Sequence, residues 1–383
     1  MKIILITLGF KPFRTSGFDV SGERLVQALL EDGHLVAVIA AADGVIKETM
    51  IHERLKIYRL PIGGSDWIGY AFRANQLLNT LGSFDVVHFW DIHFAYACSR
   101  RFVATLHQSF RQRMEGLEKA QSRRPRYGKR WLYYAVSRRL VEPFCLRKAA
   151  GLMAVSATTK REFVDFYKVP QERISLTRHG LDVKFFKPYE NREETRINIG
   201  ITSNEPVILF SGFITPRKGL EYLAKAFPGI SPSPSLVVVG KWRDESYRNM
   251  VMDLFKPYSD RVIELGFVQD EYLPELYSMA DVYVSGSLVE GFGLPLGESL
   301  ACGTPVVAFD AGATSEVVGP GGILVSPKDS SGLAVAISTL LQNPVIRRSM
   351  AEAGREHVLR EFSVEAMLHS TLDAYERFLG VRN

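Results

Sequence analysis

The chain reads as an α/β protein of two doubly wound, Rossmann-like domains facing across a cleft. Three observations predict this. Its 383 residues exceed one typical domain of about 150. Continuous apolar strands alternate with helical patterns in two separate series. A polar stretch, YENREETRINIGITSNEP, stands between the series.

The first series opens with KIILITLGF, an apolar run ending in glycine. The loop KPFRTSGFDVSG follows, then a helical pattern at Leu25, Val26, Leu29 and Leu30 that closes at DGH, then the strand LVAVIAA. Strand, helix and strand at this spacing make a βαβ unit, whose parallel strands are apolar on both faces because helices cover both. KIYRL, DVVHF, RFVATLH, GLMAVS and RISLTRHG extend the sheet. The second series runs VILFSGF, SLVVVG, VIELGF, DVYVSGS, PVVAF and GGILVS as strands, with helices at GLEYLAKAF, YRNMVMDLF, LPELYSMA, LPLGESLACG and SSGLAVAISTLLQNP. In the tail, Val364, Met367, Leu368, Leu372, Tyr375 and Leu379 recur near a 3.6 period, which predicts an amphipathic helix. The expected domains are residues 1–187, residues 188–362, and a C-terminal helix over 363–383 that crosses back to the first domain.

Hydrophobic residues at 46% and charged residues at 23% exclude a disordered chain, a fibre or a small disulfide scaffold. The longest apolar run, Leu35–Ala42, is too short to span a bilayer, and MKIILIT enters a strand pattern with no cleavage site behind it. Cys98, Cys145 and Cys302 are too scattered for metal-ligand spacing, and the expectation is a reduced, cytoplasmic protein with no metal. A net charge of +5 suits an anionic partner. From Arg111 to Lys148 the chain carries twelve basic residues against three acidic ones, interleaved with Trp131, Tyr133 and Tyr134. This insert, 111–148, is expected to touch an anionic membrane surface or an anionic acceptor, or to remain a solvated face. No nucleic-acid module accompanies the charge, so no nucleic-acid partner is expected.

Neither G-x-G-x-x-G after the first strand nor a Gly-Lys-Ser/Thr phosphate loop is present, which argues against dinucleotide and ATPase readings. The informative segment is SLVEGFGLPLGESLACG. Glu290 follows a strand directly, and Gly291 and Gly293 let backbone N–H groups approach a ligand closely. Pro295 is expected at the first helical position, where the free N–H groups of a helix start attract phosphate oxygens. Glu298 then stands within reach of a pair of sugar hydroxyls. In SGFITPRKGLEYLAKAF, Lys218 and Gly219 precede a helix whose dipole supports the lysine in holding a diphosphate.

These residues resemble the retaining, nucleotide-sugar-dependent glycosyltransferases of the GT-B fold, in particular family 4. The family signature is a glutamate, seven residues and a second glutamate, with a glycine-rich loop between; Glu290, Glu298 and GFGLP match it. The resemblance implies that Glu290 reaches the donor sugar or acceptor, that Glu298 holds the ribose, and that backbone groups of Phe292, Gly293 and Leu294 meet the sugar and diphosphate. It places Lys218 on the diphosphate. The family's arginine after Gly212 is replaced by Phe213, with Arg217 as a substitute cation. It also implies that Ser16 and Gly17 lie over the donor phosphates, that His107 stands near the donor sugar at a strand end, and that Val268 lines the base pocket, with Gly240 and Lys241 nearby. Arg14 and Thr15 are further acceptor-side candidates. His179 stands where many members carry asparagine, and Glu316 matches a recurrent glutamate.

The implied activity is metal-independent transfer, with retention, from a UDP-, GDP- or TDP-linked sugar to an acceptor hydroxyl on a glycan, a lipid-linked or a small-molecule acceptor. The nucleotide sugar is a co-substrate, and no cofactor is expected. Only Glu290 is left near the sugar once Glu298 holds ribose, so the paired-carboxylate scheme of retaining glycosidases does not fit. Same-face attack, with the leaving phosphate taking the acceptor's proton, fits better. An epimerase or phosphorylase on the same scaffold, or a non-catalytic sugar-binding descendant, are the other readings.

Overall fold

Seven strands take up the apolar runs of the first series, with an eighth added at the sheet edge, and six take up those of the second. The computed structural model describes all residues except 14–16, 43–46, 63–66, 121–128, 203 and 382–383. It divides into two compact units, one of Met1–Met114, Arg126–Gly180 and Ser363–Asn383, the other of Leu181–Phe362 with Glu115–Pro125.

In the first unit the strands are β1 (Lys2–Ile6), β2 (Leu35–Ala42), β3 (Lys47–His52), β4 (Leu55–Pro61), β5 (Val86–Phe89), β6 (Val103–Leu106), β7 (Gly151–Ala154) and β8 (Ile174–Leu176). Their order is β3-β4-β2-β1-β5-β6-β7-β8. Every pairing is parallel except the edge pair β3–β4, which is antiparallel. β3 has no counterpart among the sequence expectations, because KETMIH offers no continuous apolar run. The accompanying helices are α1 (Gly17–Glu31), α2 (Trp67–Thr80), α3 (Phe110–Ala120, of which only the part up to Met114 groups with this unit), α4 (Lys129–Arg139), α5 (Val141–Lys148) and α6 (Ala157–Asp165). Ile3, Ile4, Leu5 and Ile6 of β1 are fully buried, the mark of a central strand covered on both faces.

In the second unit β9 (Val207–Ser211), β10 (Ser235–Val239), β11 (Val262–Gly266), β12 (Val282–Ser285), β13 (Val306–Phe309) and β14 (Gly322–Val325) form a parallel sheet in the order β11-β10-β9-β12-β13-β14. Helices α7 (Arg192–Asn198), α8 (Leu220–Ala226), α9 (Glu245–Phe255), α10 (Leu273–Met279), α11 (Leu294–Ala301), α12 (Thr314–Val318), α13 (Ser330–Gln342) and α14 (Pro344–Glu361) accompany it. α14 was not foreseen: of its 18 residues only Gly354 and Val358 are buried, so the apolar period is too sparse to read. Buried Asp281 accepts hydrogen bonds from Arg192 (2.6 Å), Arg196 (2.9 Å) and the backbone N–H of Val207 (2.8 Å), which clamps α7 to the start of β9.

The last helix, α15 (Val364–Leu379), belongs to the first unit. Met367, Thr371, Ala374, Tyr375 and Phe378 form its buried stripe. Burying side chains such as Met367 and Phe378 stabilises the docking by about 2 kcal/mol each. The Tyr375 hydroxyl meets His88 Nδ1 at 2.8 Å, Arg101 donates to the Phe378 carbonyl at 2.6 Å, and Gly151 leaves the space that the Phe378 ring fills.

In each sheet the strand order reverses direction at one place, between β1 and β5 in the first unit and between β9 and β12 in the second. Loops leaving the carboxyl ends of such a strand pair diverge, and the space between them is where open α/β sheets bind ligands.

Candidate active site

In the second unit the loops after β9 and β12 carry the residues singled out above. The Lys218 ammonium donates to Glu290 Oε2 at 2.6 Å, with only 15% and 11% of the two side chains exposed. Burial lowers the Lys218 pKa, and the Glu290 carboxylate partly opposes the drop. Burial alone would raise Glu290, yet Lys218 and Arg217 beside it bring its pKa below the ordinary value. The site therefore holds a carboxylate and an ammonium that neutralise each other. Arg217 donates to the Val289 carbonyl at 2.6 Å, so it braces the backbone next to Glu290.

Local backbone geometry fixes this arrangement. Gly219 is left-handed (φ 66°), and a Cβ there would lie 2.0 Å from the Gly286 carbonyl oxygen, so the two loops touch backbone to backbone. Gly312 (φ 65°) likewise sits where a Cβ would meet the Glu290 carbonyl at 2.0 Å, and the Ala313 N–H donates to that carbonyl at 3.0 Å.

α11 starts after Gly293, which is left-handed (φ 96°) and provides no side-chain cap; Pro295 has no N–H and that of Leu296 donates to the Gly293 carbonyl at 3.0 Å, so the Leu294 N–H is the first donor of the helix outside that turn. Leu294 takes the first helical position and Pro295 the second, one place later than expected. The Phe292 side chain is buried against Phe362, which leaves only its backbone for a ligand. Glu298 is buried, and Tyr277 donates to it at 3.1 Å while Ser211 lies 3.0 Å from the Tyr277 hydroxyl. Burial and the nearby Glu298 carboxylate push the Tyr277 pKa well up, which keeps its proton in place as a donor. Tyr277 and Ser211 escaped sequence reasoning: each reads as an ordinary core position of its helix or strand.

Phe213 is 42% exposed, and the Arg243 guanidinium stands over its ring at 4.3 Å. Val268 is half-buried against the core below β9 and β10. Lys241, after β10, stands over the Phe267 ring at 4.4 Å. Glu316 lies in the first turn of α12.

In the first unit, Gly17 opens α1, whereas Arg14, Thr15 and Ser16 lie outside the described residues. His107, after β6, is 4% exposed. Its Nε2 lies 2.5 Å from the Trp90 carbonyl, which can only accept, so Nε2 carries the proton. Nδ1 lies 3.1 Å from His179 Nε2 and accepts from it when both rings are neutral. Phe18, His107 and His179 stack, at 4.7 Å between the first two and 5.0 Å between the last two. Burial pulls the His107 pKa down to about 4, against the pull of Asp91, and drives that of His179 well below its ordinary value. Here His107 is a neutral ring with both nitrogens engaged. His93, left out of the candidate set, lies between Asp91 (2.5 Å) and Glu142 (3.1 Å) in a buried charged cluster that Arg113 completes at 3.0 Å from Asp91.

Among the described residues no group of three His, Cys, Asp or Glu side chains is placed to hold a metal ion. No helix among them is long and apolar enough to cross a membrane. Cys98, Cys145 and Cys302 are buried thiols.

Comparison with known proteins assigns the class. Residues 191–357 match the model for glycosyl transferases group 1, and residues 16–185 that for glycosyltransferase family 4. The chain is 30% identical over 325 residues to the MMP α-(1→4)-mannosyltransferase of Mycolicibacterium hassiacum, covering 81% of this chain and 75% of that one. It is 27% identical to an uncharacterized glycosyltransferase of Methanocaldococcus jannaschii, across 98% of both chains. The fold is that of the sucrose-phosphate synthase of Thermosynechococcus elongatus (TM-score 0.81, 23% identity, 99% of both chains). It is also that of Anabaena HepE solved with UDP and glucose (TM-score 0.76, 20% identity, 97% of this chain and 98% of that one). The chain belongs to the GT-B-fold glycosyltransferases of the group 1 and family 4 type, enzymes that act on nucleotide-sugar donors.

Proposed function

We propose that the protein transfers a sugar from a nucleotide diphosphate sugar to an acceptor hydroxyl with retention of anomeric configuration and without a metal. The observation that carries this reading is the buried Lys218–Glu290 pair at 2.6 Å, set between loops that leave the adjacent carboxyl ends of β9 and β12. Leaving-group departure puts negative charge on the diphosphate and positive character on the sugar ring. An ammonium and a carboxylate held side by side are matched to those two charges. A bound diphosphate competes for Lys218, and Glu290 is then released toward the sugar or acceptor.

Glu298, oriented by Tyr277, accepts from the ribose hydroxyls. The uncapped N-terminus of α11 and the backbone of Phe292, Gly293 and Leu294 face the phosphates and sugar, and Val268 the base. Arg217 acts through its brace on Val289, and Lys218 is the principal cation. Ser16, Gly17 and His107 belong to the phosphate and acceptor side, with His107 acting as a neutral ring fixed by Trp90 and His179. One glutamate at the sugar favours same-face attack, in which the leaving phosphate takes the acceptor's proton, over a covalent intermediate.

The test is incubation of the purified protein with UDP-, GDP-, TDP- and ADP-linked sugars. Release of nucleoside diphosphate, slow without acceptor and faster with one, is expected for a single base. An α-configured product from an α-configured donor, read by NMR, supports retention. No turnover with any donor refutes the enzymatic reading.

A further inference from the structure

In the second unit the loops that leave β9 and β10 run on side by side past the sheet. The Gly212 N–H donates to the Val239 carbonyl (3.0 Å), the Ile214 N–H to the Lys241 carbonyl (2.9 Å), and the Arg243 N–H back to the Ile214 carbonyl (3.1 Å). Gly240 allows this approach, since a Cβ there would lie 1.8 Å from the Gly212 carbonyl oxygen. The ladder sets two cations of the β10 loop over rings on either side. Arg243 lies over Phe213, which follows β9, at 4.3 Å, and Lys241 over Phe267, which follows β11, at 4.4 Å. Both rings are exposed, at 42% and 61%. β9 borders the place where the strand order reverses, whereas β11 is the far edge of the sheet. Arg243 therefore stands on the ligand side of its loop and Lys241 on the other.

A count of charge shows what the site lacks. Lys218 is paired with Glu290, Arg217 is turned to the Val289 carbonyl, and Glu298 is held by Tyr277. These two cations and two carboxylates cancel. Each phosphate of a sugar-linked diphosphate brings a negative charge, and departure of the sugar adds another, so binding and transfer both call for surplus positive charge. The acids beside Arg243 in the chain and in the neighbouring strand are engaged elsewhere. Asp244 caps α9 by accepting from the Tyr247 N–H (3.0 Å), Glu245 pairs with Arg248 (3.4 Å), and Glu264 accepts from Trp242 (3.1 Å) and Arg248 (3.3 Å). Among the described residues no carboxylate pairs with Arg243. A guanidinium resting on a ring keeps its N–H fork available, and that planar, weakly hydrated fork matches phosphate oxygens in pairs.

We propose that Arg243, carried on the Phe213 ring, binds the diphosphate and supplies the positive charge that the Lys218–Glu290 pair, neutral as a pair, does not. The inference rests on the nucleotide-sugar reading above and deepens it by one residue, drawn from the loop after β10 rather than from the loops after β9 and β12. Phe213 is then a positioning residue: it holds the guanidinium beside the reversal of strand order and lowers the entropy lost when phosphate binds.

The test is isothermal titration of the full-length protein with UDP, GDP, TDP and ADP, and then with the bare nucleoside of whichever base binds. Arg243→Gln is expected to weaken the diphosphate by about tenfold or more and to leave the nucleoside unchanged, since only the phosphates lose a charge-assisted donor. Lys241→Gln is expected to keep the wild-type ratio of the two affinities, because its cation faces β11. The ring and the guanidinium are 4.3 Å apart, so an arginine at 213 reaches the same place. Phe213→Arg added to Arg243→Gln is therefore expected to restore most of the lost affinity, with thermal melting unchanged in all variants. Diphosphate affinity that survives Arg243→Gln overturns this inference and leaves the nucleotide-sugar reading standing. An equal loss for nucleoside and diphosphate overturns it as well, since the residue would then act on the base or the fold. A wild type that binds none of the four diphosphates overturns both.

Discussion

Lys218 and Glu290 stand 72 residues apart in the chain and 2.6 Å apart in space, joined at a place largely withdrawn from water. Each charge is the other's main compensation, because a lone charge buried there would lose several kcal/mol of hydration. The pair is therefore both a structural tie between two loops and a store of charge that a ligand can redistribute.

Replacing Lys218 tests both roles. Lys218→Ala removes the donor to the leaving diphosphate and is expected to lower kcat by roughly two orders of magnitude, about 3 kcal/mol. Arg217→Ala is expected to cost less, because that side chain reaches a carbonyl rather than Glu290. Steady-state kinetics on the two variants decide it. A larger loss for Arg217→Ala would mean that the diphosphate is held elsewhere.

Glu298 and Tyr277 form the second testable pair. Glu298→Gln turns a charged acceptor into a weaker one and is expected to weaken nucleoside diphosphate binding by about 2 kcal/mol, roughly thirtyfold in Kd. Tyr277→Phe removes the hydroxyl that orients the carboxylate and should weaken binding by about 1 kcal/mol. Isothermal titration measures both. An unaltered Kd for Glu298→Gln would remove the ribose assignment.

Gly312 supports Glu290 through backbone alone. A methyl group there would lie 2.0 Å from the Glu290 carbonyl oxygen at a left-handed φ of 65°, so Gly312→Ala must shift the loop. The expected result is at least a tenfold drop in kcat with nucleotide affinity less affected, since Glu298 stands on α11. If turnover in Gly312→Ala matches the wild type, Glu290's position is not set by this contact.

Acid should destabilise the first unit. Burial pulls His88 down to about 3 and His107 to about 4, so the unfolded chain takes up their protons first as pH falls below about 6.5. Stability therefore rises with pH between about 4 and 6.5 and is lost on acidification, by up to about 1.4 kcal/mol per pH unit for each such histidine. His93 has the opposite sign. Burial opposes its charge but Asp91 and Glu142 raise its pKa, so its stabilisation is complete below about 6.5, declines as pH rises from there and is lost once pH exceeds the raised value. Denaturant melts from pH 4.5 to 8 should show a flatter acid limb in His88→Leu. The same acid slope in that variant would sink the assignment.

The local residue pattern accounts for the alternation of strand and helix, since a parallel strand buried on both faces must be apolar throughout, as Ile3–Ile6 are. It determined where the glycine-rich loop and Glu290 would stand, because EGFGLP is a local pattern with local geometry. Strand order is not local, and only the folded sheet shows that the chain reverses between β9 and β12, which is what brings Lys218 to Glu290. His107 reads in sequence as one histidine at a strand end; its neutrality depends on Trp90, His179 and Phe18, partners that no periodicity announces. The basic insert shows the same division. Its charge is a matter of composition, but which face of α4–α5 turns toward the core was decided by packing around Glu142, and that burial leaves Leu132, Val136, Leu140 and Phe144 in water.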